Sequence, residues 1–317
     1  MPEEAINPSS DPFGATFSRK GRRAKKDRAT DANGGDCAVG WDMTTDEIIE
    51  FLLGYLKTHE ATVESQPFFR TLHQIALYGM GVGLGDSFDT SGESAVMAHL
   101  AAALARRYPN QTLTIFDAGA NIGQFVSLCR DVFGVGPRRY FCFEPSAATF
   151  AALTKNTQAW PDVRRFQVAL GDRPSDQTLF TDAPGSGLAS LYKRRLDHFG
   201  IELAPSETVR VVTLDQVAAD LGIERIHYLK LDVEGYEFQC LQGAEQLLRE
   251  RRIDFIQFEF GGTNIDSRTY FQDFWYLLKD YAFSRILRDG LLPIETYSER
   301  EEMFQTQNYL VGLKGVD

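Results

Sequence analysis

Ile115-Phe116-Asp117-Ala118-Gly119-Ala120-Asn121-Ile122-Gly123 reads as a buried strand running into a glycine-rich turn, with a carboxylate where the strand ends. Glycine lets the backbone pass close to a ligand without a Cβ clash. The acid discriminates more sharply than the glycines do. A dinucleotide-binding turn keeps its first strand-to-helix turn free of carboxylate, so that a pyrophosphate can sit on the helix N-terminus. Asp117 would repel a diphosphate and favour a ligand with a cationic end.

Tyr140-Phe141-Cys142-Phe143-Glu144-Pro145 follows as a second apolar run ending in an acid. In a doubly wound sheet, a carboxylate about twenty residues beyond the first turn bonds the ribose hydroxyls of an adenosine ligand. A cationic end together with an adenosine points to S-adenosylmethionine (SAM) rather than NAD or ATP. A third apolar strand ends in Lys230-Leu231-Asp232-Val233-Glu234-Gly235. Alternation places Asp232 and Glu234 on one side if the strand continues that far. Ligands of open α/β sheets bind beyond the carboxyl ends of the strands, so Asp117, Glu144 and Asp232 are expected around one crevice. Val168-Ala169-Leu170-Gly171-Asp172 ends another strand, and Asp172 either borders the adenine or belongs to a plain turn. Glu259 either reaches the substrate side or is a structural acid.

Strands are predicted at Leu113–Asp117, Arg139–Glu144, Val163–Ala169, Tyr228–Asp232, Phe255–Glu259, Phe283–Leu287 and Gln307–Leu313. Helices are predicted at Phe125–Phe133, Ala147–Asn156, Leu214–Leu221, Glu237–Glu250 and Tyr270–Asp280. The alternation argues for an α/β fold, doubly wound and mainly parallel, with an antiparallel strand pair at one side. Ahead of it, Thr44 and Glu47 form a capping box for a first helix, with further helices at Pro67–Tyr78 and Glu93–Arg107. The expected organisation is a basic disordered tail over residues 1–40, a helical region over 41–110 and an α/β domain over 111–317.

Composition narrows the function classes. The net charge is −11, and the basic run Arg19–Arg28 leaves the remaining body more acidic still. An acidic body is a poor partner for nucleic acid, whose binding rests on phosphate neutralisation. No apolar run is long enough to span a bilayer, and the N-terminus has no apolar signal segment. The four cysteines form no metal or redox spacing. A reducing cytoplasm is the expected location, and no metal is expected.

These motifs resemble the FkbM-type SAM-dependent methyltransferases of the class I Rossmann-like superfamily. The resemblance rests on Asp117–Gly123, Phe143-Glu144-Pro145, Ala169–Asp172, Gly187–Tyr192, Val212–Asp215, Lys230–Glu237 and Leu241–Ala244, in order over about residues 113 to 315. It implies SAM as cofactor and methylation of a hydroxyl on a sugar, glycolipid, polyketide or related acceptor. Asp117, Gly119, Asn121 and Gly123 would then shape the methionine pocket, Glu144 would hold the ribose, and Asp232 and Glu234 would lie near the methyl group. Asp232 or Glu234 is the expected base, tuned by Lys230, with His198 and His227 as rivals. The long loop from Thr181 to Glu207 is expected to cover the acceptor, with Tyr192, Lys193, Arg194 and Arg195 suiting a sugar or an anion. A nucleic-acid methyltransferase and a non-catalytic partner with the same fold are the alternatives.

Overall fold

The computed structural model describes residues 44–83, 91–134 and 136–315. The basic tail read from the sequence lies outside them. The described chain falls into two compact units divided between Met80 and Gly81.

The smaller unit contains α1 (Thr45–His59) and α2 (Gln66–Gly79). The capping box is present: Glu47 N–H donates to Thr44 Oγ1, and Thr44 N–H donates to the Glu47 carboxylate at 2.6 Å. The third helix, α3 (Glu93–Arg107), belongs to the larger unit instead. The helical region expected over 41–110 is therefore divided, because Val96, Met97, Leu100 and Leu104 of α3 are buried in a core shared with the sheet.

The larger unit continues with β1 (Leu113–Ala118), α4 (Gln124–Phe133), β2 (Arg138–Phe143), α5 (Ala147–Thr157), β3 (Val163–Phe166), β4 (Ala169–Leu170), β5 (Ser175–Thr181), β6 (Ala204–Val212), α6 (Leu214–Asp220) and β7 (Ile226–Leu231). It ends with α7 (Glu237–Gln242), α8 (Glu245–Arg249), β8 (Ile253–Phe260), α9 (Gly262–Ser267), α10 (Phe271–Leu277), β9 (Tyr281–Leu287), β10 (Gly290–Ile294) and β11 (Gln307–Leu313). Eight strands form the main sheet in the order β10-β9-β11-β8-β7-β1-β2-β3. Strands β3, β2, β1, β7 and β8 run parallel, and β11, β9 and β10 continue the sheet with antiparallel pairings. The fold is the α/β sheet that the alternation implied.

The central strands β1 and β7 are buried along their whole length, and their side chains alternate between two cores, one on each face. On one face Ile115, Tyr140 and Tyr228 pack with α3, α4 and Leu153. On the other, Phe116, Phe141, Leu229 and Phe258 pack with α6, α7, α8 and α10. Chain order reverses between β1 and β7, so the carboxyl ends of these two strands mark the switch point where open α/β sheets bind ligands.

Two features depart from the sequence reading. The strand expected over Val163–Ala169 breaks after Phe166, and Ala169-Leu170 joins a second sheet of order β4-β6-β5. The helix expected over Glu237–Glu250 breaks at Gly243, where a Cβ would lie 2.0 Å from the Gly171 carbonyl oxygen. The second sheet is tied to the first by Glu207 of β6, whose carboxylate accepts the Ala147 N–H at the start of α5. No helix among the described residues is long and apolar enough to cross a membrane.

Candidate active site

The turn after β1 is pinned to its neighbours. Gly119 and Ala120 N–H both donate to the Phe143 carbonyl at 3.0 Å, and Asp232 N–H donates to the Ala118 carbonyl at 3.0 Å. Gly119 has φ +77°, and a Cβ there would sit 1.8 Å from the Asp232 carbonyl oxygen. The sequence therefore needs glycine at 119 for a close approach between the first and third motifs. Asn121 adopts φ +48°, which asparagine tolerates better than most residues, and its N–H donates to Glu144 Oε2 at 3.0 Å. Ser146 N–H donates to Glu144 Oε1 at 3.0 Å, so the carboxylate is fixed at the end of β2. Burial pushes the Glu144 carboxyl up to about 7 despite these two donors.

A cleft of about 630 Å³, open to solvent, starts at this turn. Gly119, Asn121, Glu144, Asp232 and Glu234 line it, together with an apolar slot of Phe143, Val168, Leu170 and Leu179. The structure thus gathers five of the expected site residues at one place. Asp117 is 2% exposed near the end of β1 and is not among the residues that line the cleft. Lys230 is buried behind Asp232, with Nζ 2.8 Å from Asp232 Oδ2. Gly123 is away from the cleft lining: its missing Cβ leaves room for Leu153 and Thr157 of α5, each 3.0 Å from where it would be. Asp172 also lies outside the lining, half-buried and 3.9 Å from Arg173.

The segment after β7 is held in an unusual conformation. Glu234 and Gly235 have φ +54° and +103°. Glu237 Oε1 accepts Val233 N–H at 3.0 Å and Gly235 N–H at 3.2 Å, which holds that bend. Burial raises the Glu237 carboxyl to about 7, outweighing the backbone donors. A carboxyl whose folded value lies above its ordinary 4.5 contributes stability below that value and loses it as pH rises through about 7. Glu237→Gln is accordingly expected to flatten the fall in unfolding free energy between pH 4.5 and 7, by on the order of 3 kcal/mol for this group. Denaturant titrations across that range check it, and an unchanged slope would contradict it.

The long loop between β5 and β6 contributes Ser186, Gly187, Ala189, Ser190 and Leu191 to the lining. Ser190 Oγ donates to the Glu234 carbonyl at 2.8 Å, and Arg194 Nη1 donates to Glu234 Oε2 at 2.7 Å. Arg194 is 7% exposed, paired with Glu234 and 4.0 Å from Asp266, and it is not among the residues that line the cleft. Neither histidine rival stands at the cleft. His227 lies near the start of β7, where Nδ1 accepts Thr114 N–H at 2.9 Å and burial lowers its pKa. His198 is exposed and packs on Phe199.

Glu93 was not singled out from the sequence. It is buried at the start of α3, and its carboxylate lies 4.0 Å from Lys230 Nζ. The available signal was Gln257, a polar residue in the middle of the strand Ile253–Phe260, beside the polar Tyr228 and Lys230 of the neighbouring strand. Buried polar groups on adjoining strands require partners from a covering element.

Comparison with known proteins agrees with this geometry. The chain is 32% identical to the AMB antimetabolite synthetase AmbE of Pseudomonas aeruginosa, over 44% of this chain and 8% of that one. It is 25% identical to the hexuronic acid methyltransferase AglP of Haloferax volcanii, over 46% of this chain and 56% of that one. It is also 25% identical to the 2-O-methyltransferase NoeI of Sinorhizobium fredii, over 45% of this chain and 62% of that one. In each case the match spans less than two thirds of the relative's length. The profile of the methyltransferase FkbM domain matches residues 117–285, just over half of the chain and inclusive of every residue that lines the cleft, and the chain belongs to the FkbM methyltransferase family.

Proposed function

We propose that the protein is a SAM-dependent O-methyltransferase acting on a hydroxyl of a sugar, glycan or polyketide-type acceptor. The observation that carries this reading is the placement of the Glu144 carboxylate at the mouth of an apolar slot, beside a glycine turn with a buried acid just before it. These residues fit SAM. The slot of Phe143, Val168, Leu170 and Leu179 suits an adenine, and Glu144 suits the ribose diol. Gly119 leaves backbone room for the methionine moiety, with Asp117 before it to favour its ammonium group. The names of AglP, a hexuronic acid methyltransferase, and NoeI, a 2-O-methyltransferase, support a hydroxylated carbohydrate as the first acceptor class to try.

SAM supplies an electrophilic methyl group on a sulfonium. The chain supplies alignment and a place for the acceptor's proton. Asp232 lines the cleft and is the group we assign to the proton, with Lys230 holding its carboxylate in place. Glu234 is assigned to latching the loop through Arg194, which holds the loop residues that line the acceptor side in place.

The test is release of S-adenosylhomocysteine in the presence of uronic acids, hexoses and glycolipids. Turnover is expected with a hydroxylated acceptor. Asp232→Asn is expected to lose at least about 100-fold in turnover, the usual range for a general base, with SAM affinity falling by no more than about tenfold, whereas Glu234→Ala is expected to retain SAM affinity within about threefold and to lose turnover through release of the loop. Methyl transfer to a nucleic-acid nitrogen would overturn the acceptor assignment.

The raised Glu144 carboxyl gives a further expectation. A diol donates to the ionised form, so binding favours loss of the proton. SAM affinity should fall as pH drops from 8 to 6, by at most about tenfold per unit below about 7. Glu144→Gln should bind SAM more weakly and without this pH dependence. Calorimetry across that range decides it, and a flat wild-type profile would contradict the ribose assignment.

A further inference from the structure

Lys230 is a buried cation on β7, and the groups around it form a row. Asp117 of β1 and Gln257 of β8 are its register partners on either side. Adjacent strands lie about 4.8 Å apart, so the three side chains stand side by side on the face covered by α3. Burial alone would lower the Lys230 pKa, but the carboxylates of Asp232, Glu93 and Asp117 reverse this and hold it well above its ordinary value. One lysine thus faces three carboxylates.

Glu93 reaches this row from α3, and its position is fixed on every side. Gln257 Nε2 donates to Glu93 Oε1 at 2.6 Å, and Tyr228 O–H donates to Gln257 Oε1, which orients the amide. Ser91 Oγ donates to Glu93 Oε2 at 3.0 Å. Gly92 anchors the start of the helix: it has φ +83°, and a Cβ there would sit 1.9 Å from the Leu287 carbonyl oxygen. Three polar side chains, Tyr228, Gln257 and Ser91, hold this one carboxylate 4.0 Å from one buried amine. A helix N-terminus needs an acid nearby, but it does not need a Tyr–Gln relay buried in the sheet to aim it.

We infer that Glu93 is a positioning residue of the cofactor site, one that shares Lys230 with Asp232 and so keeps the floor of the cleft net negative toward a cationic ligand. This rests on the SAM reading. Its consequence is selectivity between cofactor and product. SAM and S-adenosylhomocysteine carry the same amino-acid and adenosine groups and differ by the methyl group and the sulfonium charge. A negative floor favours the sulfonium and lets the neutral thioether leave. Glu93 lies outside the matched FkbM segment, so this contribution comes from a helix that precedes it.

The test is the ratio of SAM to S-adenosylhomocysteine affinity, measured by calorimetry on the full chain. Glu93→Gln keeps the shape and removes one charge. At roughly two strand spacings and an effective dielectric of about 20, one charge changes the affinity of a cation by about tenfold. The ratio is therefore expected to fall by about tenfold in Glu93→Gln, to return to within about threefold of wild type in Glu93→Asp, and to rise in Lys230→Met. Lost packing would weaken both ligands alike and leave the ratio unchanged, which separates a structural role from this one. A folded Glu93→Gln with a ratio within twofold of wild type overturns the inference. Should that variant not fold, Lys230→Met decides, and a ratio that fails to rise overturns it. Wild-type protein that binds neither compound overturns the SAM reading, and this inference with it. Wild-type protein that binds both, with a ratio indifferent to these substitutions, overturns this inference alone.

Discussion

Replacing Asp117 by alanine is expected to weaken SAM binding by at least about 100-fold, because a desolvated charge pair that loses one partner costs roughly 2–5 kcal/mol. Asp117 is 2% exposed, near the end of β1 and two residues before the Gly119 turn. Water does not replace the lost carboxylate easily at such a position. Asp117→Asn separates charge from shape, and it should lose most of the same affinity while retaining the packing at the end of β1. Calorimetric titration of both variants checks this, with circular dichroism to show that each is folded. Affinity within threefold of wild type in folded Asp117→Ala would remove Asp117 from the site.

The second large effect is on stability. Gly119→Ala would place a Cβ 1.8 Å from the Asp232 carbonyl oxygen at a φ of +77°. Neither the turn nor the start of the Asp232–Gly235 bend can yield, since both are tied by backbone hydrogen bonds to Phe143 and Ala118. The expected cost is about 4 kcal/mol or more, or outright failure to fold. Gly185 is the control. Its φ is +76°, yet nothing lies within 4 Å of a Cβ built there. Gly185→Ala carries the backbone strain alone, about 1–2 kcal/mol. Denaturant midpoints of the two variants measure the difference, and equal losses would mean that the close approach to Asp232 contributes nothing.

The contrast between these glycines also explains what the sequence could and could not convey. The strands that build the site, β1, β2, β7 and β8, were legible because each is an apolar run ending in a charged or glycine-containing turn. Their carboxyl ends converge because a parallel sheet leaves them no other arrangement. The second sheet was not legible. Ser175–Thr181 and Ala204–Val212 bury only part of one face, so their apolar signal reduces to residues such as Leu179, Val209 and Val211. The break of the helix at Gly243 has no periodic signature either, since its cause is the backbone of Gly171, far away in sequence.

Side chains that act across elements were the least legible. Arg194 read as a surface cation suited to an anionic acceptor, and it folds back onto Glu234. Glu93 marked only the start of a helix, and from α3 its carboxylate lies 4.0 Å from Lys230 Nζ. Pairings of this kind depend on tertiary geometry that local pattern does not encode. By contrast, Lys230 near the end of β7 and Asp232 just beyond it are two residues apart in sequence, and their side chains meet at 2.8 Å.

The central claim is that the turn at Asp117–Gly123 accepts a cationic sulfonium ligand rather than a dinucleotide diphosphate. Parallel calorimetric titrations of the wild-type protein with SAM and with NADH test it most directly. The account predicts saturable SAM binding in the micromolar range and no heat of binding from NADH. Binding of NADH with none of SAM would contradict it.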